Sequence, residues 1–123
     1  MQKLNTFEEI ISWKKARLFN RRIYLVTEDQ KFKNDFDLAR QIRRASVSIS
    51  SNIAEGFERN TDKEFIYFLY VAKASAGEVR SQIYLAFDLN YISRETFDHL
   101  LYEITEISKL LGGFIKYLEK KIK

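Results

Sequence analysis

The chain has 123 residues, with no cysteine, no proline and only four glycines. Those absences exclude disulfides, thiolate chemistry and cysteine-ligated metals, and they argue for long uninterrupted helices rather than a strand-and-turn fold. With 46% hydrophobic and 31% charged residues, and 21 Lys and Arg against 17 Asp and Glu, the chain is globular and mildly basic. A net charge of +4 permits nucleic-acid binding without demanding it.

The length is that of one domain, residues 1–123, and no internal repeat or linker is visible. No apolar run approaches the roughly 20 residues of a membrane span. The segment before Ile10 lacks the apolar stretch of a signal peptide, so the expectation is a cytoplasmic protein without membrane association.

Four helical patterns follow one another. In the first, Trp13, Ala16, Phe19, Ile23 and Val26 recur at three- and four-residue steps and line one helix face. Thr6 and Glu9 have capping-box spacing, so the helix is expected to start near Thr6 or, equally, near Ser12. The polar stretch Glu28 to Asp35 breaks the pattern. In the second, Leu38, Ile42, Ala45, Ile49, Ile53 and Phe57 share a face, with Gly56 near the end. Thr61 or Asp62 is placed to cap the third.

The third pattern is the clearest: Phe65, Leu69, Ala72, Ala76, Val79, Ile83 and Ala86 alternate steps of four and three. That is a bundle seam. It ends around Leu89, with Asn90 as the terminating residue. Ser93 caps the fourth, with Glu95 in its first turn, and Phe97, Leu101, Ile104, Leu111, Phe114, Ile115 and Leu118 form its face. Gly112 and Gly113 are expected to interrupt it, and the closing lysines suit a helix C-terminus. Short connections between long helices imply antiparallel neighbours. The fold class is all-α, an antiparallel up-and-down four-helix bundle.

The chemistry-bearing residues concentrate in Ala39–Arg59. Arg40, Arg43 and Arg44 fall within about one turn and are followed by Ser46, Ser48, Ser50, Ser51 and Asn52. Serine and asparagine are poor mid-helix residues. Either these small side chains let two helices approach closely, or they form a polar surface for a partner or ligand; the arginines read equally as a solvated face. Asn52 and Glu55, three apart, are placed to form a local hydrogen-bonded pair. Ala72, Ala74, Ser75, Ala76 and Gly77 form a second small-residue run, placed to pack on the first. Gly77 costs about 1 kcal/mol relative to alanine, which close packing would offset.

No catalytic residues, metal site or cofactor site are assigned. His99 is the single histidine, too few for a di-iron bundle. Arg94 and His99 have the spacing found in HEPN ribonucleases, but Glu95 stands where that pattern has a polar amide, and His99 reads as a surface side chain. "AEGFER" lacks the residues of a phosphate loop. The ten Phe, seven Tyr and one Trp exceed what a core of this size absorbs. Phe65, Tyr67, Phe68 and Tyr70 spread around their helix, so part of that surface is expected to face a partner subunit, with base stacking, which needs a groove, as the less favoured reading.

The segments "SWKKARLF", "QIRRASVSISSNIAEGFER" and "KEFIYFLYVAKASAGEVRSQIYLAFDLNYIS" resemble the four-helix-bundle proteins encoded in 23S rRNA intervening sequences, over about Phe7 to Tyr117. The most specific match is Arg43, Arg44 and Ala45 followed by Ser51, Asn52, Ile53, Ala54, Glu55 and Gly56. The family typically has proline where this chain has Ser50. The resemblance implies an up-and-down bundle and a homo-oligomer, with pentameric rings among relatives. One branch, the accessory variability proteins of diversity-generating retroelements, binds nucleic acid and a reverse transcriptase. The expected function is therefore a non-enzymatic oligomeric accessory protein that binds RNA or DNA through Arg40, Arg43, Arg44, Arg59, Lys73 and Arg80. The rival expectation is a protein-interaction scaffold with no nucleic-acid role.

Overall fold

The structure, a computed structural model, describes residues 4–122. It is all-α, with no strand among the described residues. A 3₁₀ turn, Phe7–Glu9, leads into α1 (Ile11–Thr27). The short α2 (Gln30–Asn34), then α3 (Phe36–Phe57), α4 (Asp62–Asp88) and α5 (Arg94–Lys121) follow. Helix α3 packs against α1 and α4, and α5 packs against α4 and, less extensively, α1.

The apolar faces meet in a cluster drawn from all four long helices. Phe19 and Ile23 of α1, Ile42, Ile49 and Ile53 of α3, Leu69 and Ile83 of α4, and Ile104 and Leu111 of α5 are almost wholly withdrawn from water. Every residue of the α4 seam, from Phe65 to Ala86, is buried. On α5 the buried stripe also takes in Leu100 and Ile107, while Leu101, expected in the core, sits at its edge.

The helix ends follow the expected chemistry in most places. The Thr61 hydroxyl accepts from the Glu64 N–H at 3.2 Å, and the Ser93 hydroxyl accepts from the Thr96 N–H at 3.1 Å. Asn90 adopts φ 63°, and the N–H groups of Asn90 and Tyr91 reach back to the carbonyls of Phe87 and Ala86. That is a Schellman closure, with asparagine in the left-handed position.

Three boundaries differ from the sequence expectation. The Thr6 side chain makes no cap, and the Glu9 carboxylate accepts from the Asn5 N–H instead. Of the two starts expected, the later one holds to within a residue: helix α1 begins at Ile11, beside Ser12, after an extended Ile10 that is buried. Core burial of Ile10, with the Phe7 ring against Trp13 at 5.1 Å, fixes the entry, so no side-chain cap is required. The polar stretch from Glu28 to Asp35 holds α2, capped by Asp29, because Phe32 is buried against Tyr91. A single aromatic in a polar run sets no period, so no helical pattern is visible there in the sequence. Helix α5 runs unbroken through Gly112 and Gly113, since flanking Leu111 and Ile115 are both anchored in the core.

Asp35 joins α2 to α3 and to the α4–α5 connection. Its Oδ1 accepts from the Leu38 N–H, and its Oδ2 accepts from the Tyr91 hydroxyl at 2.9 Å. The carboxylate holds the Tyr91 hydroxyl in its neutral donor form, and burial adds to this, raising its pKa.

Candidate nucleic-acid interface

The serine-rich run of α3 is a seam between helices. The buried Ser46 hydroxyl donates to Asn20 Oδ1 at 2.6 Å, and Asn20 Nδ2 donates to Ser50 Oγ at 2.9 Å. On the other side of α3, the Ser48 and Ser75 hydroxyls share a 2.9 Å hydrogen bond with α4. The structure thus favours close helix approach over a ligand surface for these residues. Ser51, by contrast, is exposed.

The motif residues act locally. The Asn52 amide donates to the Ser48 carbonyl and hydroxyl, and Glu55 pairs with Arg59 at 3.0 Å. The expected Asn52–Glu55 bond is therefore not formed, because each finds a partner four residues away. Gly56 is the close-approach glycine. A Cβ there would lie 2.7 Å from Phe68 Cβ and 2.9 Å from Phe65 Cδ1. The close packing expected at Gly77 is absent: that residue is exposed, with nothing within 4 Å of a would-be Cβ.

The six predicted basic residues divide among three places. Arg40, Arg43 and Arg44 line a hollow of about 340 Å³ at the junction of α1 and α3, with Lys33 and Glu28. Arg43 is committed to the protein there. Its Nε donates to Thr27 Oγ1 at 2.7 Å, a terminal nitrogen pairs with Glu28 at 3.0 Å, and its guanidinium lies 4.5 Å above the Tyr24 ring. Donation from Arg43, with the positive field of Lys33, lowers the pKa of Glu28. Arg40 and Arg44 are exposed. Arg59 stands apart, its charge matched by Glu55 and its guanidinium 4.7 Å above Phe68.

Lys73 and Arg80 lie elsewhere, in a groove of about 540 Å³ between α4 and α5. Opposite them stand Lys109 and Lys116 of α5, neither of which was among the expected phosphate contacts. Each pair is seven residues apart, two helical turns or about 10 Å along its helix. Thr105 and Ser108 add hydroxyls, and Gly112 and Gly113 leave the α5 wall bare. No acidic side chain lines the groove. Among the described residues none of the four cations forms an ion pair. Four cations brought together without counter-charge concentrate a positive field on one channel.

Arg94 and His99 do not converge: Arg94 pairs with Asp98 at 3.2 Å, and His99 lies 3.7 Å from Glu103. Among the described residues no three His, Asp or Glu side chains gather as a metal ion would require, and no helix is long and apolar enough to cross a membrane.

Residues 8–113 match the family described as 23S rRNA-intervening sequence protein. The chain is also similar to a crystal structure from Bacteroides thetaiotaomicron VPI-5482, described as a protein with unknown function from the S23 ribosomal protein family. The TM-score is 0.80 and the identity 30%, covering 86% of this chain and 99% of that one. No curated protein matches. A family match over most of the length, carrying the Arg43–Arg44–Ala45 and Ser51-to-Gly56 segments, places the chain: it belongs to the 23S rRNA-intervening sequence protein family.

Proposed function

We propose that the four long helices form an antiparallel up-and-down bundle whose basic surface binds RNA or DNA without catalysing a reaction on it. The bundle reading is supported by contacts that join opposite ends of neighbouring helices. Asp62, at the start of α4, pairs with Lys121 at the end of α5, while Phe87 and Phe97 stack where α4 ends and α5 begins. Arg43 near the start of α3 bonds Thr27 at the end of α1.

One observation carries the binding reading: Lys73, Arg80, Lys109 and Lys116 face one groove with no acid among its lining. Phosphate groups are the ligand such a channel favours, and counterion release would supply the driving force. Arg40 and Arg44 form a second cationic patch at the α1–α3 junction. Titration of the protein with labelled RNA and DNA across a salt series tests this. Binding that weakens linearly in the logarithm of salt concentration is expected; no binding at low salt would refute it.

A second reading, association through protein surfaces, is favoured by Ile11, Leu18 and Leu25. They follow one another at seven-residue steps on α1 and are 60%, 65% and 63% exposed. A self-association seam, or one for another protein such as a reverse transcriptase, would cover them; the family resemblance suggests five copies. Light scattering at high salt, with the absorbance ratio of the purified protein, separates assembly from nucleic-acid binding.

A further inference from the structure

We infer that the α4–α5 groove takes a single strand of nucleic acid, with phosphates along the two cation rows and bases on Tyr84 and Tyr102. This rests on the nucleic-acid reading above and specifies its site and ligand.

The closeness of the two cation rows suits a single backbone. Packed helices lie about 8–10 Å apart, so Lys73 and Arg80 on one wall and Lys109 and Lys116 on the other reach the same backbone. A duplex is a convex rod wider than that spacing and meets only the rims.

Tyrosines supply the stacking surface at one end. Tyr84 lies one turn beyond Arg80 on α4, 44% exposed, with its ring held at 5.2 Å against Phe97. Tyr102, 69% exposed, lies two turns before Lys109 on α5. Exposed aromatic faces beside a cationic channel are the combination that binds single strands with little sequence preference. The opposite end carries an acid. There the Glu119 carboxylate accepts from the Tyr70 hydroxyl at 3.1 Å, one turn past Lys116.

The paired glycines fit the same ligand. Glycine weakens a helix interior, yet nothing lies within 4 Å of a would-be Cβ at Gly113, and at Gly112 only the Lys73 Cε does, at an ordinary 3.5 Å. The protein's own packing requires neither glycine; a backbone laid against α5 uses the space they leave.

Fluorescence anisotropy on the whole protein tests this, with labelled single strands of RNA and DNA and a blunt duplex of each. Single strands are expected to bind at least about tenfold more tightly than duplexes. Lys73→Gln with Lys109→Gln should reduce the salt slope by about 1.4, at about 0.7 per cation removed. Tyr84→Leu with Tyr102→Leu should weaken binding about tenfold with the slope unchanged. Gly112→Leu should block binding while leaving a folded, helical protein by circular dichroism. Duplex binding as tight as single-strand binding overturns the inference. So does a slope unmoved by the lysine pair while Arg40→Gln with Arg44→Gln abolishes binding, an outcome that leaves the broader nucleic-acid reading standing. Failure of every nucleic acid to bind at low salt removes both.

Discussion

Ser46 Oγ donates to Asn20 Oδ1 at 2.6 Å, tying the middle of α3 to the middle of α1. Asn20 returns the link through Nδ2, which donates to Ser50 Oγ, so one amide satisfies two buried hydroxyls. Removing it leaves the Ser46 hydroxyl, fully withdrawn from water, without its acceptor. Asn20→Ala is expected to cost about 1–3 kcal/mol, read as a lower urea midpoint at unchanged slope. Asn20→Asp, which keeps the acceptor for Ser46, should cost less.

Two glycines should respond in opposite directions to the same change. Gly56→Ala drives a methyl group to within 3 Å of Phe65 and Phe68, and overpacking of this kind costs about 1–3 kcal/mol. Gly77→Ala meets open space in a helix interior and should stabilise by about 0.5–1 kcal/mol. Thermal melts of the two variants beside the wild type decide both signs.

Neighbouring arginines should separate stability from binding. Arg43 directs its donors to Thr27 and Glu28, so Arg43→Ala is expected to cost roughly 1–2 kcal/mol of stability and to leave the salt slope of nucleic-acid binding nearly unchanged. Arg40→Ala with Arg44→Ala should leave the melt in place and lower the slope by less than the loss of about 1.4 with the groove lysines, because the two arginines lie at the α1–α3 junction, outside the α4–α5 groove. A lowered slope with Arg43→Ala alone would contradict the assignment.

The Glu28 pairing gives a pH dependence of defined sign. Arg43 and Lys33 hold the Glu28 carboxyl below its ordinary pKa. Its contribution is therefore present above the unfolded value, about 4.3, and is lost as pH falls through the lower folded value. Glu28 is well exposed, so the effect is small. Below about pH 4, wild type should lose more stability than Glu28→Gln does; between pH 5 and 7, as ~2 units of pH are crossed, the difference between them should stay flat.

Surface association has its own test. Leu18→Asp with Leu25→Asp places charge on the exposed α1 stripe and touches nothing in the core. If that stripe is an interface, the variant should be smaller by light scattering at high salt while melting at the wild-type temperature. An unchanged particle size would exclude α1 as the seam.

Much of the architecture was legible because hydrophobic period reports directly on burial. The seven seam residues of α4 and the faces of α1 and α3 needed only spacing. The caps at Thr61 and Ser93 and the stop at Asn90 were legible because short polar side chains satisfy terminal backbone groups locally. The choice between the starts at Thr6 and Ser12, and the presence of α2, were not, since Ile10 and Phe32 are held by contacts distant in sequence.

The candidate site was legible in part. Lys73 and Arg80 stand out in the sequence as candidate phosphate ligands, but their partners Lys109 and Lys116 do not; Lys116 reads as one of the closing lysines that suit a helix terminus. Both pairs are visible in the sequence as cations seven apart, yet nothing along the chain says that the two rows share a groove. Arg43 and Arg44 look equivalent on paper. Only the placement of Thr27, Tyr24 and Glu28 beside α3 turned one inward and left the other exposed.

By itself the sequence determined that the chain is helical, which faces are buried and which family motifs it carries, because periodicity, capping and composition act over a few residues. Which charges are consumed inside the protein, and which stand together without partners, was decided by tertiary structure. A side chain's electrostatic surroundings come from neighbouring helices, and their register is set by how the apolar faces interlock.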